Sequence, residues 1–232
     1  MAFARDVQAE YLDELPDGDP RAKRARRELR TINFLMGNSH ILARALALHS
    51  GAGRRLAVAE IGSGDGTAIA KVARILSTPG IELTLLDRSA VPSAEASRTL
   101  KERGWMVRMV RADVFEWLAS GQSTFDVIVA NLFLHHFRPP ALEELLALIA
   151  ARTRLFIACE PQRSSFALLA SRLLWALGCG EVTRHDAQAS VRAGFRSDEL
   201  TAMWPVRNGW TLDEGQRGLF SHSFVAVRHG GA

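Results

Sequence analysis

The sequence contains little cysteine, and this limits the kinds of protein that it can encode. Only two of its 232 residues are cysteines, Cys159 and Cys179. Two distant cysteines provide neither a disulfide framework nor a cluster of metal ligands. We therefore expect a reduced, cytoplasmic protein that binds no metal.

Long hydrophobic segments and a strong excess of one charge are also missing. The most apolar stretch, residues 166–179, is interrupted by Arg172 and is too short to span a bilayer. The first twenty residues are acidic and hold no long apolar run, so we expect no signal peptide. Lys and Arg number 29 against 25 Asp and Glu, and a net charge of +4 is too small to indicate a nucleic-acid partner.

The chain from residue 55 onward alternates between strand-like and helix-like segments. The strand-like runs are RLAVAEI, IELTLLD, WMVRMVRAD, FDVIVANL and RLFIACE. Such alternation predicts parallel strands covered by helices on both faces. GWTLDE and FSHSFVAVRH follow and predict an antiparallel pair at the end of the sheet. A hydrophobic content of 47% suits one large domain with an ordinary core.

The first fifty residues predict two helices instead. Asp19 and Pro20 are typical of a helix start, and apolar residues then recur on one helical face: Ala22, Ala25, Leu29, Ile32 and Met36. A second helix, SHILARALAL, follows. We assign residues 1–52 to an N-terminal helical extension, either a lid or a dimer element, and residues 53–232 to the main domain. The protein would then be a monomer or a homodimer.

The opposite face of the first helix is basic. It carries Arg21, Lys23, Arg24, Arg26, Arg27 and Arg30. The simplest interpretation is a solvated face. The alternative is a docking surface for an acidic partner, such as a carrier protein, a phosphate or a membrane surface.

The segment AEIGSGDG lies between the first predicted strand and its helix. Gly62, Gly64 and Gly66 occupy every second position, and Glu60 comes two places before the first of them. Glycines let the chain turn tightly and let a ligand approach the backbone. In open α/β sheets, ligands bind beyond the carboxyl ends of the strands, where this turn would lie.

The details of the turn favour a ligand without phosphate. A dinucleotide fingerprint would need glycine where Thr67 stands, and Asp65 would repel a diphosphate. No Walker-type Gly-Lys-Ser/Thr follows either. Glu60 would suit an ammonium group on the ligand.

Two further acidic residues follow the next two predicted strands. Asp87 closes the second strand, about 21 residues past Gly66, where a carboxylate can hold ribose hydroxyls. Asp113 follows the third strand, where it could accept from an adenine amino group while Val114 donates its backbone N–H to a ring nitrogen. Each aspartate alone could simply cap the next helix. Together with the glycine turn, they indicate a nucleoside site.

The motifs EIGSGDG, LLD, RADV and ANLFLHHF, in this order and spacing, resemble those of class I S-adenosylmethionine-dependent methyltransferases over residues 55–160. The resemblance implies a Rossmann-like α/β fold with a seven-stranded, mostly parallel sheet, helices on both faces and an antiparallel terminal hairpin. It implies S-adenosylmethionine as the cofactor and S-adenosylhomocysteine as the product. The cofactor-binding residues that it implies are Glu60, Gly62, Ser63, Gly64, Gly66, Asp87, Arg88, Asp113, Val114, Asn131 and Leu132.

Methyl transfer to a hydroxyl is helped by a general base, and histidine is the natural candidate. His185 lies beside Asp186 in a region that commonly carries acceptor-binding residues in this fold, and it is our preferred base. His135 and His136 follow the fourth strand, and structural and catalytic roles are equally open to them. Glu160 closes the fifth strand and either faces the same cleft or marks the entry to the next helix.

Two features of the sequence predict the class of the methyl acceptor: a motif that is missing after the fourth strand, and a second family resemblance. Residues 131–134 read NLFL, whereas an Asn/Asp-Pro-Pro-aromatic motif at this place is typical of methyltransferases that act on bases, so we expect no DNA partner. Residues 161–204 are rich in Phe, Leu and Trp and could line an apolar acceptor pocket. The segments YLDELPDGDPRAKRARRELRTINFLMGN and VRAGF resemble bacterial methyltransferases of secondary metabolism associated with polyketide pathways. This implies a small-molecule acceptor with an aromatic or polyketide-like hydroxyl.

Two other functions stay open. An RNA or protein methyltransferase would use the basic N-terminal helix to hold its substrate, and its RNA binding would be sensitive to salt. A non-catalytic module would keep the cofactor pocket without turnover. A nicotinamide-dependent oxidoreductase is opposed by Thr67 and Asp65.

Overall fold

The computed structural model of the protein describes residues 3–16, 18–49, 55–76, 78, 80–89, 91–121, 123–205 and 207–229. The strands are β1 (Leu56–Ile61), β2 (Ile81–Asp87), β3 (Met106–Arg111), β4 (Phe125–Asn131), β5 (Thr153–Pro161), β6 (Trp210–Arg217) and β7 (Ser221–Arg228). They form one seven-stranded sheet in the order β3-β2-β1-β4-β5-β7-β6. Strands β1 to β5 pair in parallel, whereas β7 is antiparallel to both β5 and β6. The predicted Rossmann-like sheet with its terminal hairpin is confirmed.

Ten α-helices and two 3-10 turns are found among the described residues. The helices are α1 (Tyr11–Glu14), α2 (Pro20–Met36), α3 (Asn38–His49), α4 (Thr67–Ile75), α5 (Ala94–Glu102), α6 (Val114–Ala119), α7 (Pro139–Arg152), α8 (Ser165–Arg172), α9 (Glu181–Ala193) and α10 (Glu199–Met203). The 3-10 turns span Leu134–His136 and Leu173–Leu177. Their positions leave the carboxyl ends of the central strands facing the N-terminal segment and α9.

The order of the strands fixes where a ligand can bind. The chain runs outward from β1 to β2 and β3 on one side, and from β4 onward on the other. The connections after β1 and β4 therefore diverge and leave a crevice at the carboxyl end of the sheet, as in other doubly wound folds.

The N-terminal helices pack into the same structure as the sheet. Asp19 caps α2 by accepting from the Arg21 N–H at 2.7 Å, as its sequence predicted. On α3, Leu42 and Leu46 are buried in the cluster that also holds Leu56 and Val58 of β1. The extension thus shares a core with the sheet. Our proposed boundary between residues 52 and 53 lies outside the described residues.

The helices also bear on the question of membrane spans. Within the described ranges, no helix is both long enough and apolar enough to cross a bilayer.

Candidate active site

A cavity of about 690 Å³ lies at the carboxyl ends of the first four strands. Its walls come from the connections that follow these strands, including Gly62, Asp87, Asp113 and Leu132. The N-terminal segment closes it from the other side through residues 7–10 and Asp13. The cavity therefore occupies the crevice that the strand order creates.

The glycine turn after β1 has two structural requirements for glycine. Gly62 has a φ of 64° and Gly66 a φ of 72°, a left-handed conformation that favours glycine. In addition, a Cβ on Gly62 would lie 2.1 Å from Cδ2 of Phe133. Gly62 is thus needed so that the Phe133 ring can lie against the turn, a contact that the sequence did not indicate.

Asp87 at the end of β2 holds this turn and lines the cavity. Its Oδ2 accepts from the Gly64 N–H at 2.9 Å, and its Oδ1 accepts from the Ser89 N–H at 3.0 Å. Because Asp87 also lines the cavity, a ligand hydroxyl there could approach its carboxylate. Arg88, the next residue, also lines the cavity.

Asp113 has the capping role that the sequence left open, and both Asp113 and Val114 lie at the cavity. Asp113 caps α6 by accepting from the Phe115 N–H at 2.8 Å, and both Asp113 and Val114 line the cavity. Val114 is the first residue of α6, so its N–H has no acceptor within the helix. A ligand ring nitrogen could accept from it.

Glu60 and Ser63 lie deeper than we expected. Glu60 is only 1% exposed and does not line the cavity. Burial, together with the negative charges of Asp65 and Asp87, raises the pKa of Glu60 well above its ordinary value. Among the described residues, neither Glu60 Oε2 nor Ser63 Oγ has a hydrogen-bond partner. Buried polar atoms without partners are rare, and these two fit a ligand with a cationic donor at the turn.

Two residues at the end of β4 connect the cavity with the rest of the site. The Asn131 side chain accepts from Asn38 Nδ2 of α3 at 3.1 Å, so it holds the N-terminal helices and does not line the cavity. Leu132 has a φ of 53°, which is unusual for a residue other than glycine. Such strain tends to persist at functional sites.

A second cavity of about 390 Å³ opens beside the first, and most of its wall is apolar. Side chains of α2 and of the region 161–204 contribute to this wall: Leu29, Ile32, Met36, Ala167, Leu174 and Val191. Other apolar residues of that region, such as Phe195 and Trp204, belong to the core instead. The two cavities share Glu10, Leu132 and His136, so they meet at these residues.

His135 is a buried hydrogen-bonded residue and lines only the second cavity. Its Nδ1 lies 2.8 Å from Glu160 Oε2, and its Nε2 lies 3.5 Å from Glu10 Oε1. Burial lowers the pKa of His135, but the two carboxylates outweigh this effect and raise it to about 9. His135 is therefore an imidazolium at neutral pH and cannot act as a base.

Glu160 positions the loop that carries His135, and it does not face the cleft, which was one of the two placements that the sequence left open. It is fully buried and lines neither cavity. Its Oε1 accepts from the N–H groups of Phe133 and Leu134 at 3.0 and 2.9 Å. The carboxylate thus binds the start of the 3-10 turn after β4.

His136 faces the junction of the two cavities. Its side chain is 32% exposed, and its Nδ1 lies 3.9 Å from Asp13 Oδ2. Partial burial and the neighbouring charge of His135 lower the pKa of His136 to about 4. The ring is therefore neutral at physiological pH, and its one unprotonated nitrogen can accept a hydrogen bond.

His185 has a different place from the one that we predicted. It lines neither cavity, and its ring stacks on Tyr11 with centroids 3.6 Å apart. Its Nδ1 lies 2.9 Å from Asp186 Oδ1, and Asp186 accepts from the Tyr11 and Leu12 N–H groups at 2.8 and 3.0 Å. The pair holds the N-terminal segment, which explains why our preferred base lies outside the site.

Sequence reasoning described the N-terminal extension as a lid or a dimer element, but it missed Glu10. Glu10 contributes a carboxylate at the junction, and its hydrogen bonds with His135 and Ser190 overcome the effect of burial and lower its pKa to about 2. Arg5 anchors the same segment by donating to the carbonyls of Ala193 and Phe137. These contacts join residues more than a hundred positions apart, and the segment carries no motif that could have indicated them.

Glu10, His135 and His136 also offer ligand-type atoms within 4.8 Å of one another. Our expectation that the protein binds no metal stays a prediction.

Comparison with known proteins identifies the fold. Residues 58–154 match the family model described as a methyltransferase domain, which covers β1 to the beginning of β5. This match confirms our expectation of a methyltransferase domain of the S-adenosylmethionine-dependent class. None of the curated proteins compared with this methyltransferase matches it.

Solved structures with the same fold cover most of this methyltransferase. The plantazolicin methyltransferase BamL, in complex with a triazolic desmethylPZN analog and SAH, aligns with a TM-score of 0.64 and 15% identity over 97% of this chain and 95% of that chain. Magnesium protoporphyrin IX methyltransferase (ChlM) from Synechocystis PCC 6803 with bound SAH gives a TM-score of 0.58 and 16% identity over 94% of this chain and 91% of that chain. An O-methyltransferase family protein from Burkholderia thailandensis aligns with a TM-score of 0.59 and 18% identity. The alignment covers 93% of this chain and 62% of that chain.

Proposed function

We propose that this methyltransferase transfers a methyl group from S-adenosylmethionine to a hydroxyl of an apolar small molecule of aromatic or polyketide-like type. One observation carries the proposal. A cavity with carboxylates at the carboxyl ends of the strands meets an apolar cavity at Glu10, Leu132 and His136. This arrangement suits a nucleoside cofactor on one side and an apolar acceptor on the other.

The first cavity has the groups that the cofactor needs. Asp87 would accept from the ribose hydroxyls, and Asp113 from the adenine amino group, with the Val114 N–H donating to the ring. Glu60 and Ser63 would complement the ammonium end from beneath the turn, because their buried oxygens have no partner among the described residues. When bound, S-adenosylmethionine supplies a methyl group that its positive sulfur makes reactive.

The second cavity would orient the acceptor. Its volume of about 390 Å³ is in the range of small-molecule sites. Because its wall is mostly apolar, an acceptor would be held chiefly by its hydrophobic surface. Its reactive hydroxyl would then lie at the junction, close to the polar groups that both cavities share. The complex of the fold neighbour BamL with a desmethylPZN analog and SAH supports a natural-product acceptor.

At the junction, Glu10 and His136 have separate roles. Glu10 is anionic and would accept a hydrogen bond that orients the acceptor. His136 is neutral and would accept the proton of the acceptor hydroxyl, which would leave this oxygen free to take the methyl group that the cofactor would supply. His135 acts through Glu10, because its charge holds that carboxylate in place.

The test is methyl transfer from isotope-labelled S-adenosylmethionine to a panel of apolar phenols, followed by mass spectrometry. We expect a gain of one methyl group on oxygen. The variant His136→Asn should lower turnover by roughly 10²-fold, the usual contribution of a general base. Its affinity for S-adenosylhomocysteine should change little, and His40→Asn on α3 serves as the matched control. Labelling of RNA, protein or amines alone, or full activity in His136→Asn, would overturn the proposal.

A further inference from the structure

A continuous apolar surface lies on α8 and the 3-10 turn that follows it. On α8 and at the start of the turn, Phe166, Leu169 and Leu173 are 54%, 55% and 51% exposed. Their spacing of three and four residues puts them on one helical face. Trp175 and Leu177 extend this surface and are 61% and 75% exposed. Monomeric soluble proteins rarely expose so many large apolar side chains together, and such patches usually mark interaction sites.

This surface borders the second cavity. Leu177 and Leu35 both line that cavity, yet they are 75% and 71% exposed. Phe220 lines it as well, and its ring stacks on Phe166 with centroids 5.7 Å apart. We call Leu35, Phe166, Leu169, Leu173, Trp175 and Leu177 the apolar rim. An acceptor that enters the second cavity would pass this rim.

Positive charge borders the rim. Helix α2 packs against the end of the 3-10 turn, where Arg24 Nη2 donates to the Gly178 carbonyl at 2.7 Å. One helical turn further along α2, Arg27 is exposed, and Lys23 precedes it on the same helix. Arg172 is exposed at the end of α8 itself, and residues 165–177 include no Asp or Glu. The combination of exposed Trp and Leu with Lys and Arg is typical of segments that lie in the headgroup region of anionic membranes.

We propose that the apolar rim docks on an anionic lipid surface and opens the second cavity toward an acceptor dissolved in the lipid. The leucines and Trp175 would enter the interface, while Lys23, Arg27 and Arg172 would contact the headgroups. Docking itself does not depend on the reaction, and only its purpose, delivery of a lipophilic acceptor, rests on the proposed function.

The experiment is flotation of the full chain with phosphatidylcholine vesicles that contain or lack phosphatidylglycerol. We expect binding to the anionic vesicles that weakens in high salt, because exposed cations contribute roughly fivefold in affinity each. The double variant Leu173→Glu/Trp175→Glu should lose at least tenfold in affinity. Lys23→Gln/Arg27→Gln should bind more weakly and lose much of the salt dependence.

Leu48→Glu is the matched control. Leu48 is 71% exposed near the end of α3, the helix that leads toward the amino end of β1. The Leu48→Glu variant should therefore bind vesicles like the wild type. Binding of S-adenosylhomocysteine by each variant shows that the variant is folded. It also distinguishes a defect in the cofactor site from a loss of vesicle docking. No vesicle binding by the wild type would overturn the proposal. So would a dimer that Leu173→Glu/Trp175→Glu dissociates, because the rim would then be an interface between two copies.

Discussion

The rings of Tyr11 and His185 stack with their centroids 3.6 Å apart and an angle of 2° between their planes. Tyr11 belongs to the N-terminal segment, and His185 belongs to α9. Beneath the stack, Asp186 is fully buried and accepts from the first backbone N–H groups of α1. The segment fastened in this way lines the first cavity with residues 7–10. We infer that it is a lid and that α9 is the surface on which it closes.

The lid interpretation predicts faster release of product when the stack is removed. Tyr11→Ala should increase the dissociation rate of S-adenosylhomocysteine roughly two- to tenfold, which corresponds to the usual stabilisation by an aromatic pair. Tyr11→Phe keeps the ring and should behave like the wild type. Stopped-flow displacement measures both rates. Equal rates in Tyr11→Ala and the wild type would show that the segment does not control release.

The packing of Phe133 on the glycine turn predicts that alanine is more destabilising at Gly62 than at Gly104. Gly62→Ala would place a Cβ against the ring, whereas a Cβ on Gly104 would meet nothing within 4 Å. Both residues have a positive φ, so backbone strain is common to the two variants. Gly62→Ala should therefore cost about 1–3 kcal/mol more in unfolding free energy than Gly104→Ala. Urea denaturation measures the difference, and similar losses would contradict the contact.

The His135 network predicts how stability depends on pH. Folding raises the pKa of His135 from 6.5 to about 9, so its contribution is complete below pH 6.5 and is lost as the pH rises through about 9. The melting temperature should fall over this interval. Glu10→Gln removes one of the carboxylates, so its profile should be flatter, whereas Glu143→Gln on the exposed face of α7 should follow the wild type. Parallel profiles for all three proteins would show that Glu10 does not stabilise the imidazolium.

The sheet could be predicted because its strands are short apolar runs that end in recognisable residues. IELTLLD is β2 from its first residue to its last, and Asp87 and Asp113 both reach the cavity as the strand ends implied. Helix α2 begins at Pro20, directly after Asp19, and ends at Met36, the last residue of the predicted apolar face.

The acceptor side could not be predicted in the same way. A histidine beside an aspartate looks like a catalytic pair, but the sequence does not show which way the helix turns, and α9 directs His185 toward Tyr11. Glu10 reaches the junction through contacts with residues 125 or more positions away. Such long-range contacts leave no periodicity in the chain. The environment of Glu160 likewise depends on the backbone of the loop after β4.

Calorimetric titration with S-adenosylhomocysteine measures whether the cavity beside Asp87 binds the methyl donor. We expect one molecule bound per chain, no binding of NAD, and roughly 10- to 100-fold weaker binding in Asp87→Ala, because ribose hydrogen bonds to a charged group are lost. Asp213→Ala, at an exposed carboxylate of β6, should bind normally. If the wild type fails to bind S-adenosylhomocysteine, or if Asp87→Ala binds it as tightly as the wild type, the cavity beside Asp87 is not the cofactor site.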